Sequence, residues 1–155
     1  MIQRLQSLYL SLTIILSFLF LKGSYLTFIN QSGSIIKVTF SGIISNAGGQ
    51  GNVLIEKLLP LSLFIIIIPI LSLITIIIYK NRKIQIILAI TGIILSAAFI
   101  SIIAFYSYSI CVKYNTELVP GWKIVLPFLI LIFYSLAYRG IRKDDQLVKS
   151  YDRIR

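Results

Sequence analysis

Long apolar runs alternate with short polar breaks along this chain. Four runs stand out, over residues 5–21, 58–79, 84–108 and 122–138. The first and third carry no charge, the second contains Ile65-Ile66-Ile67-Ile68, and the fourth has Lys123 at its very edge. A helix of about 20 apolar residues matches a hydrocarbon layer about 30 Å thick. An open apolar strand would leave its backbone groups unpaired there. The pattern predicts one all-α transmembrane domain over residues 1–155, a four-helix membrane bundle. Two elements are added outside the bilayer: a small β-hairpin in the first external loop and an amphipathic cytoplasmic helix at the C-terminal end.

The hairpin is read in the external loop 22–57. Alternating stretches at 25–30 and 35–40 flank Gln31-Ser32-Gly33-Ser34, polar turn chemistry between β-branched and aromatic runs. The Gly-rich stretch 45–52 has no apolar period and reads as a plain loop. It lacks the Lys-Ser/Thr pair that a phosphate-binding loop needs. Residues 109–121 read as a second, short external loop. In the tail, 139–155, Ile141, Leu147, Val148, Tyr151 and Ile154 share one side of a helix. Asp145, Lys149 and Asp152 stand at helix-pairing distances. Two roles are open to this tail. It lies on anionic headgroups through Arg139, Arg142 and Lys143, or it is a docking surface for a partner, formed by those three with Leu147, Val148, Tyr151 and Ile154.

Composition supports the membrane reading: 57% of residues are hydrophobic and only 13% charged, with a mean hydropathy of +0.93. Soluble domains run near 45–50% and 25%. The net charge of +10 would point to nucleic acid in a soluble protein, but no groove-reading motif accompanies it, so nucleic acid is not an expected partner. Instead the charge reports orientation. Arg4, Lys80, Arg82, Lys83, Arg139, Arg142, Lys143, Lys149, Arg153 and Arg155 fall on one side of four spans, and Lys22, Lys37, Lys57, Lys113 and Lys123 on the other. The richer side is cytoplasmic by the positive-inside rule, which places both termini there. The exit of the first run, Phe20-Leu21-Lys22-Gly23-Ser24, has no small-x-small cleavage pattern, so an uncleaved helix is expected.

Chemistry is sparse. The chain has no His and one Cys, Cys111, and its single Met is residue 1. No conventional zinc site, haem ligand set, catalytic base or Gly-x-Ser-x-Gly elbow is present. Apart from Lys123 at the edge of the fourth run, no Asp, Glu, Lys, Arg or His lies inside a predicted span, where proton relays and ion pathways need one. Neither an enzyme nor a cofactor is expected. Helix packing remains: Gln3, Ser7 and Ser11 at one-turn spacing in the first span, and Gly92–Ser96 and Ala97–Ser101 in the third. Small residues and hydroxyls at that spacing close bundles or accept a foreign helix. Pro69 interrupts the second span, with Ser72 and Thr75 near enough to serve freed carbonyls.

The two ends carry a family likeness. Met1-Ile2-Gln3-Arg4-Leu5-Gln6-Ser7-Leu8-Tyr9-Leu10, and the close Leu136-Ala137-Tyr138-Arg139-Gly140-Ile141-Arg142-Lys143-Asp144-Asp145-Gln146-Leu147-Val148-Lys149-Ser150 with Asp152-Arg153-Ile154-Arg155, resemble the bacterial membrane protein family known as domain of unknown function 4293. That resemblance implies a four-span protein of the bacterial inner membrane and brings no catalytic residues. Four spans around a β-rich first loop are also similar to the claudin-type arrangement, but that loop's aromatic motif and Cys pair are missing here, so the likeness carries no function. The expectation is a non-catalytic accessory or stabilising subunit of a larger inner-membrane complex, of secretion, envelope or respiratory type, surrounded by membrane lipids. The alternative is a small transporter or lipid-handling protein with a neutral cavity near Pro69.

Overall fold

The computed structural model describes residues 3–30, 35–40, 42–46, 53–79 and 81–153. Among them are four α-helices, one short 3-10 turn and five strands. In chain order they are α1 (Gln3–Leu21), β1 (Ser24–Asn30), β2 (Ile35–Thr39), β3 (Gly42–Asn46), β4 (Val53–Glu56), α2 (Leu59–Ile77), α3 (Arg82–Tyr114), β5 (Thr116–Val119) and α4 (Val125–Arg153). The 3-10 turn Trp122–Ile124 leads into α4.

Three stretches, Leu59–Ile77, Arg82–Tyr114 and Trp122–Val148, are long and apolar enough to cross a membrane, and they mark a membrane protein. Their outer faces expose Leu63, Ile70, Leu73, Ile87, Ile94 and Ile132, as surfaces facing lipid do. The apolar part of α1, Leu5–Leu21, is shorter. Three helices thus meet the length of a span among the described residues, and the shorter α1, apolar over the same 5–21 as expected, packs beside them from one pole to the other.

The larger correction concerns the sheet. A bundle carrying one small hairpin was expected; the structure has a five-stranded antiparallel sheet, ordered β4-β3-β2-β1-β5. β1 and β2 are the expected hairpin strands, pairing Phe28 with Ile36, while the turn residues 31–34 lie outside the described residues. β3 and β4 flank the stretch 45–52 that was read as a plain loop, β3 taking in its first two residues. Gly42 makes them possible: its φ is +134°, and a Cβ there would run into the Glu56 carbonyl of β4. Only glycine accepts such a φ readily and lets two backbones approach so closely. Of the Gly-rich stretch, residues 47–52 lie outside the described residues. β5 arises where the second external loop was read. Helix α3 runs to Tyr114 and is stopped by Asn115, a left-handed cap at φ 46° whose N–H donates to the Cys111 carbonyl; Asn tolerates that conformation. The next four residues join the free edge of β1, Leu118 opposite Phe28.

Alternation along the strands buries Leu26, Phe28, Ile36, Val38 and Ile43. They form one core with Phe20, Leu58, Leu61, Phe99 and Ile110 of the helices. The sheet therefore caps one end of the helical layer. The Phe20 ring stacks on Tyr25 at 4.5 Å and meets Phe99 edge-on at 5.5 Å. At the rim the Lys123 ammonium donates to the Lys22 carbonyl, and Lys113 pairs with Glu56 at 3.1 Å. α1 and α3 run toward the sheet and α2 and α4 away from it, so the start of α1 and the end of α4 share the opposite pole.

One contact in this cap is incomplete. The Tyr25 hydroxyl is buried and has no hydrogen-bond partner among the described residues, and burial pushes its pKa up. An unmet buried hydroxyl costs about 1–3 kcal/mol. Tyr25→Phe keeps the ring stack and removes the orphan oxygen, so it is expected to stabilise the protein by about 1 kcal/mol. Thermal unfolding in detergent checks this; an unchanged or lower Tm counts against it.

Candidate functional site

Two polar clusters organise the helices, one at mid-depth and one at the pole opposite the sheet. At mid-depth Thr13 of α1, Ser72 of α2 and Tyr134 of α4 are all fully buried. The Thr13 and Ser72 hydroxyls are 2.7 Å apart, and Ser72 and Tyr134 share a hydrogen bond of 2.5 Å. The Ile68 carbonyl lies 3.0 Å from the Tyr134 hydroxyl, within reach of the same proton. Helix α3 contributes space: a Cβ at Gly92 would lie 2.5 Å from Tyr134 Cδ1. The region beside buried Pro69 is thus filled by an aromatic ring and hydroxyls. Ser72 and Thr75 donate to the carbonyls of Ile68 and Leu71, not to that of Ile65, the one a proline at 69 deprives of its donor.

At the opposite pole, Asp144 is buried although it lies beyond the apolar run of α4. Its Oδ2 accepts from Gln6 Nε2 of α1 at 2.6 Å and faces Arg82 Nη1 of α3 at 3.8 Å. Gln85, also buried, donates to the Thr75 carbonyl at 3.2 Å and so ties α3 to α2. Gly140 lets Gln6 pass, since a Cβ there would lie 2.9 Å from Gln6 Cγ. These groups and Tyr79 line a cleft of about 20 Å³, room for about one water.

The clamp holds α4 near the end of its buried stripe. The helix has 29 residues, or about 43 Å at 1.5 Å per residue, against a hydrocarbon thickness of about 30 Å. Its buried stripe runs Ile130, Tyr134, Ala137, Ile141 and Asp144, alternate steps of four and three that form a heptad seam. The same spacing next reaches Val148, which is exposed, as is its neighbour Leu147. Arg139, Arg142 and Lys143 are exposed on the flanks, with Arg142 donating to the Tyr138 hydroxyl at 3.2 Å.

The profile of the family described as a domain of unknown function (DUF4293) matches residues 2–154. The chain belongs to this family. Comparison with curated proteins returns no match.

In this DUF4293 chain, the residues singled out from sequence separate by face. Gly92 and Ser96 are buried, whereas Ala97 and Ser101, one position further round α3, are exposed. The hydroxyls of Ser96 and Ser101 bond back to carbonyls of their own helix. On α1, Ser7 is exposed and Ser11 half-buried, donating to the Leu8 carbonyl; the side chain of Gln3 lies outside the described residues. The buried polar residues of α1 are instead Gln6, Thr13 and Ser17. In the tail, Ile141 faces inward, apart from Leu147 and Val148; the side chain of Tyr151 and all of Ile154 lie outside the described residues. Sequence reading missed the Gln6–Arg82–Asp144 clamp. Its one signal is a glutamine early in an otherwise apolar run.

Two consequences are measurable. Gly92→Ala forces a methyl into the Tyr134 ring and is expected to cost about 1–3 kcal/mol of stability, as overpacking does; a Tm within 1 °C of the parent would contradict this contact. In a double-mutant cycle, Gln6→Ala and Asp144→Ala are each destabilising and share a coupling energy of about 1 kcal/mol. Additive losses would mean that the hydrogen bond contributes nothing.

Proposed function

We propose that this protein is a non-catalytic accessory subunit of a larger complex in the bacterial inner membrane. In this reading both termini are cytoplasmic and the sheet lies outside. The observation that carries it is the α4 seam. A heptad stripe, buried down to Asp144, continues to exposed Val148, beside exposed Leu147. An apolar stripe that ends on exposed side chains favours a helix or groove on another protein. The clamp on Asp144 supports a set direction for this extension, because Gln6 and Arg82 hold it from two other helices. A continuous helix leaving the bundle also fits protein docking better than lying flat on headgroups. Orientation rests on charge: Arg82, Lys83, Arg139, Arg142 and Lys143 gather at the pole away from the sheet, and basic residues mark the cytoplasmic side. The bacterial setting is part of the proposal and follows the resemblance of the two chain ends.

The test is affinity purification of the full chain in mild detergent from its native membrane, with the tag on an external loop. A stoichiometric integral membrane partner is expected. Leu147→Glu with Val148→Glu should remove that partner while changing stability by no more than about 0.5 kcal/mol, as exposed substitutions do. A monomer from the parent chain, or a partner retained by the double variant, rejects the reading.

A further inference from the structure

A second unexplained feature lies at the other pole, where α3 and α4 meet the sheet. Ile100, Ile103 and Ala104 of α3 and Pro127 and Phe128 of α4 line a groove of about 320 Å³, roofed by Leu26 of β1 and Leu118 of β5. That volume falls in the range of small-molecule sites, roughly 300–1,000 Å³. Its one side-chain hydroxyl, Ser107, already donates to the Ile103 carbonyl at 2.8 Å. The groove therefore offers an occupant no unspent side-chain hydrogen-bond donor.

We propose that this groove binds one acyl chain of a membrane phospholipid, with the phosphate beside Lys123. Three observations select this occupant. First, the walls belong to the two longest membrane-crossing stretches, and Ala104 and Phe128 are exposed at the mouth. The groove opens to hydrocarbon, and the medium that fills it is acyl chains. Second, the sheet closes the outward end. A spanning helix about 10–12 Å across would have to continue through that roof, whereas a flexible chain can end beneath it. Third, Trp122 and Lys123 directly precede the lining residue Ile124. Trp marks headgroup depth, and the Lys123 ammonium stands 5.9 Å from the Trp122 ring. Lysine carries three donors; one reaches the Lys22 carbonyl, which holds the charge at that depth. Hydrophobic burial retains the chain, and a cation at the rim complements the phosphate.

Trp122 is the only tryptophan, so the protein carries its own probe. Phosphatidylglycerol with brominated acyl chains is added to the delipidated full chain in detergent micelles, and contact quenching of Trp122 is followed. The expected result is saturable quenching at one lipid per chain. Ala104→Phe fills the mouth and should raise the half-saturating lipid about tenfold. Ile94→Phe, at an exposed position of the same helix, should leave it unchanged. Lys123→Gln should weaken binding about fivefold, the effect of one basic residue near an anionic surface. Should Ala104→Phe lose its helical circular dichroism, Ile100→Phe is read by the same criterion.

Quenching that rises in proportion to lipid without saturating, or that is indifferent to filling the mouth, reduces the groove to ordinary annular contact and overturns the proposal. It is likewise overturned if Ala104→Phe leaves quenching intact but loses a co-purifying membrane protein, since the groove then belongs to a protein helix. An unchanged Lys123→Gln titration overturns the placement of the phosphate.

Discussion

A hydroxyl inside the bilayer must find a partner within the protein, and Tyr134 shows how much of this fold follows from that demand. Its oxygen reaches Ser72 and the Ile68 carbonyl of α2, and Ser72 in turn reaches Thr13 of α1. Three helices are joined at one depth, and the fourth accommodates the ring by presenting Gly92. In lipid no water competes for these groups, and apolar side chains gain little by leaving acyl chains for one another. Single hydrogen bonds between membrane helices average well under 1–2 kcal/mol. Their larger effect is on register. With α1, α2 and α4 fixed at Thr13, Ser72 and Tyr134, an antiparallel helix pair sets Gln6 opposite Asp144 at one pole. The other end of α1 brings Phe20 under Tyr25 at the sheet.

The parts legible in the sequence were those that depend on local pattern. Apolar runs mark the helices, and alternation about Gln31–Ser34 marks β1 and β2. What escaped were pairings between distant segments. β4 and β5 are only four residues each, too short to show alternation. β5 follows a helix that ends on the conformation of a single residue, Asn115, rather than on a proline or glycine. The spacing of small residues had a similar limit. Gly92–Ser96 and Ala97–Ser101 look alike as four-residue steps, yet one pair is buried and the other exposed. A step of four specifies a face without saying which face is occupied; Tyr134, 42 positions away in the chain, decides it.

The two poles of the molecule are built on different principles. At the sheet, alternating apolar residues close over the helix ends, and the loops are drawn in by short pairings such as Lys113 to Glu56. At the other pole closure is polar, resting on Asp144, Gln6, Arg82 and Gln85. Burying an ionised carboxylate carries a desolvation penalty that its partners only partly offset, and apolar residues of similar size often serve stability equally well. Stability alone therefore gives weak grounds for a carboxylate at position 144. A directional contact offers something apolar packing does not, namely one rotational setting for α4 where the neighbouring helices end. Rotating α4 by one residue, about 100° for a helix of 3.6 residues per turn, would remove Asp144 from Gln6 and Arg82. It would also carry Val148 off the line of the seam. The same geometry that makes the clamp sensitive to rotation thus holds exposed Val148 in line with buried Ile141, so that one contact sets both the buried stripe and its exposed continuation.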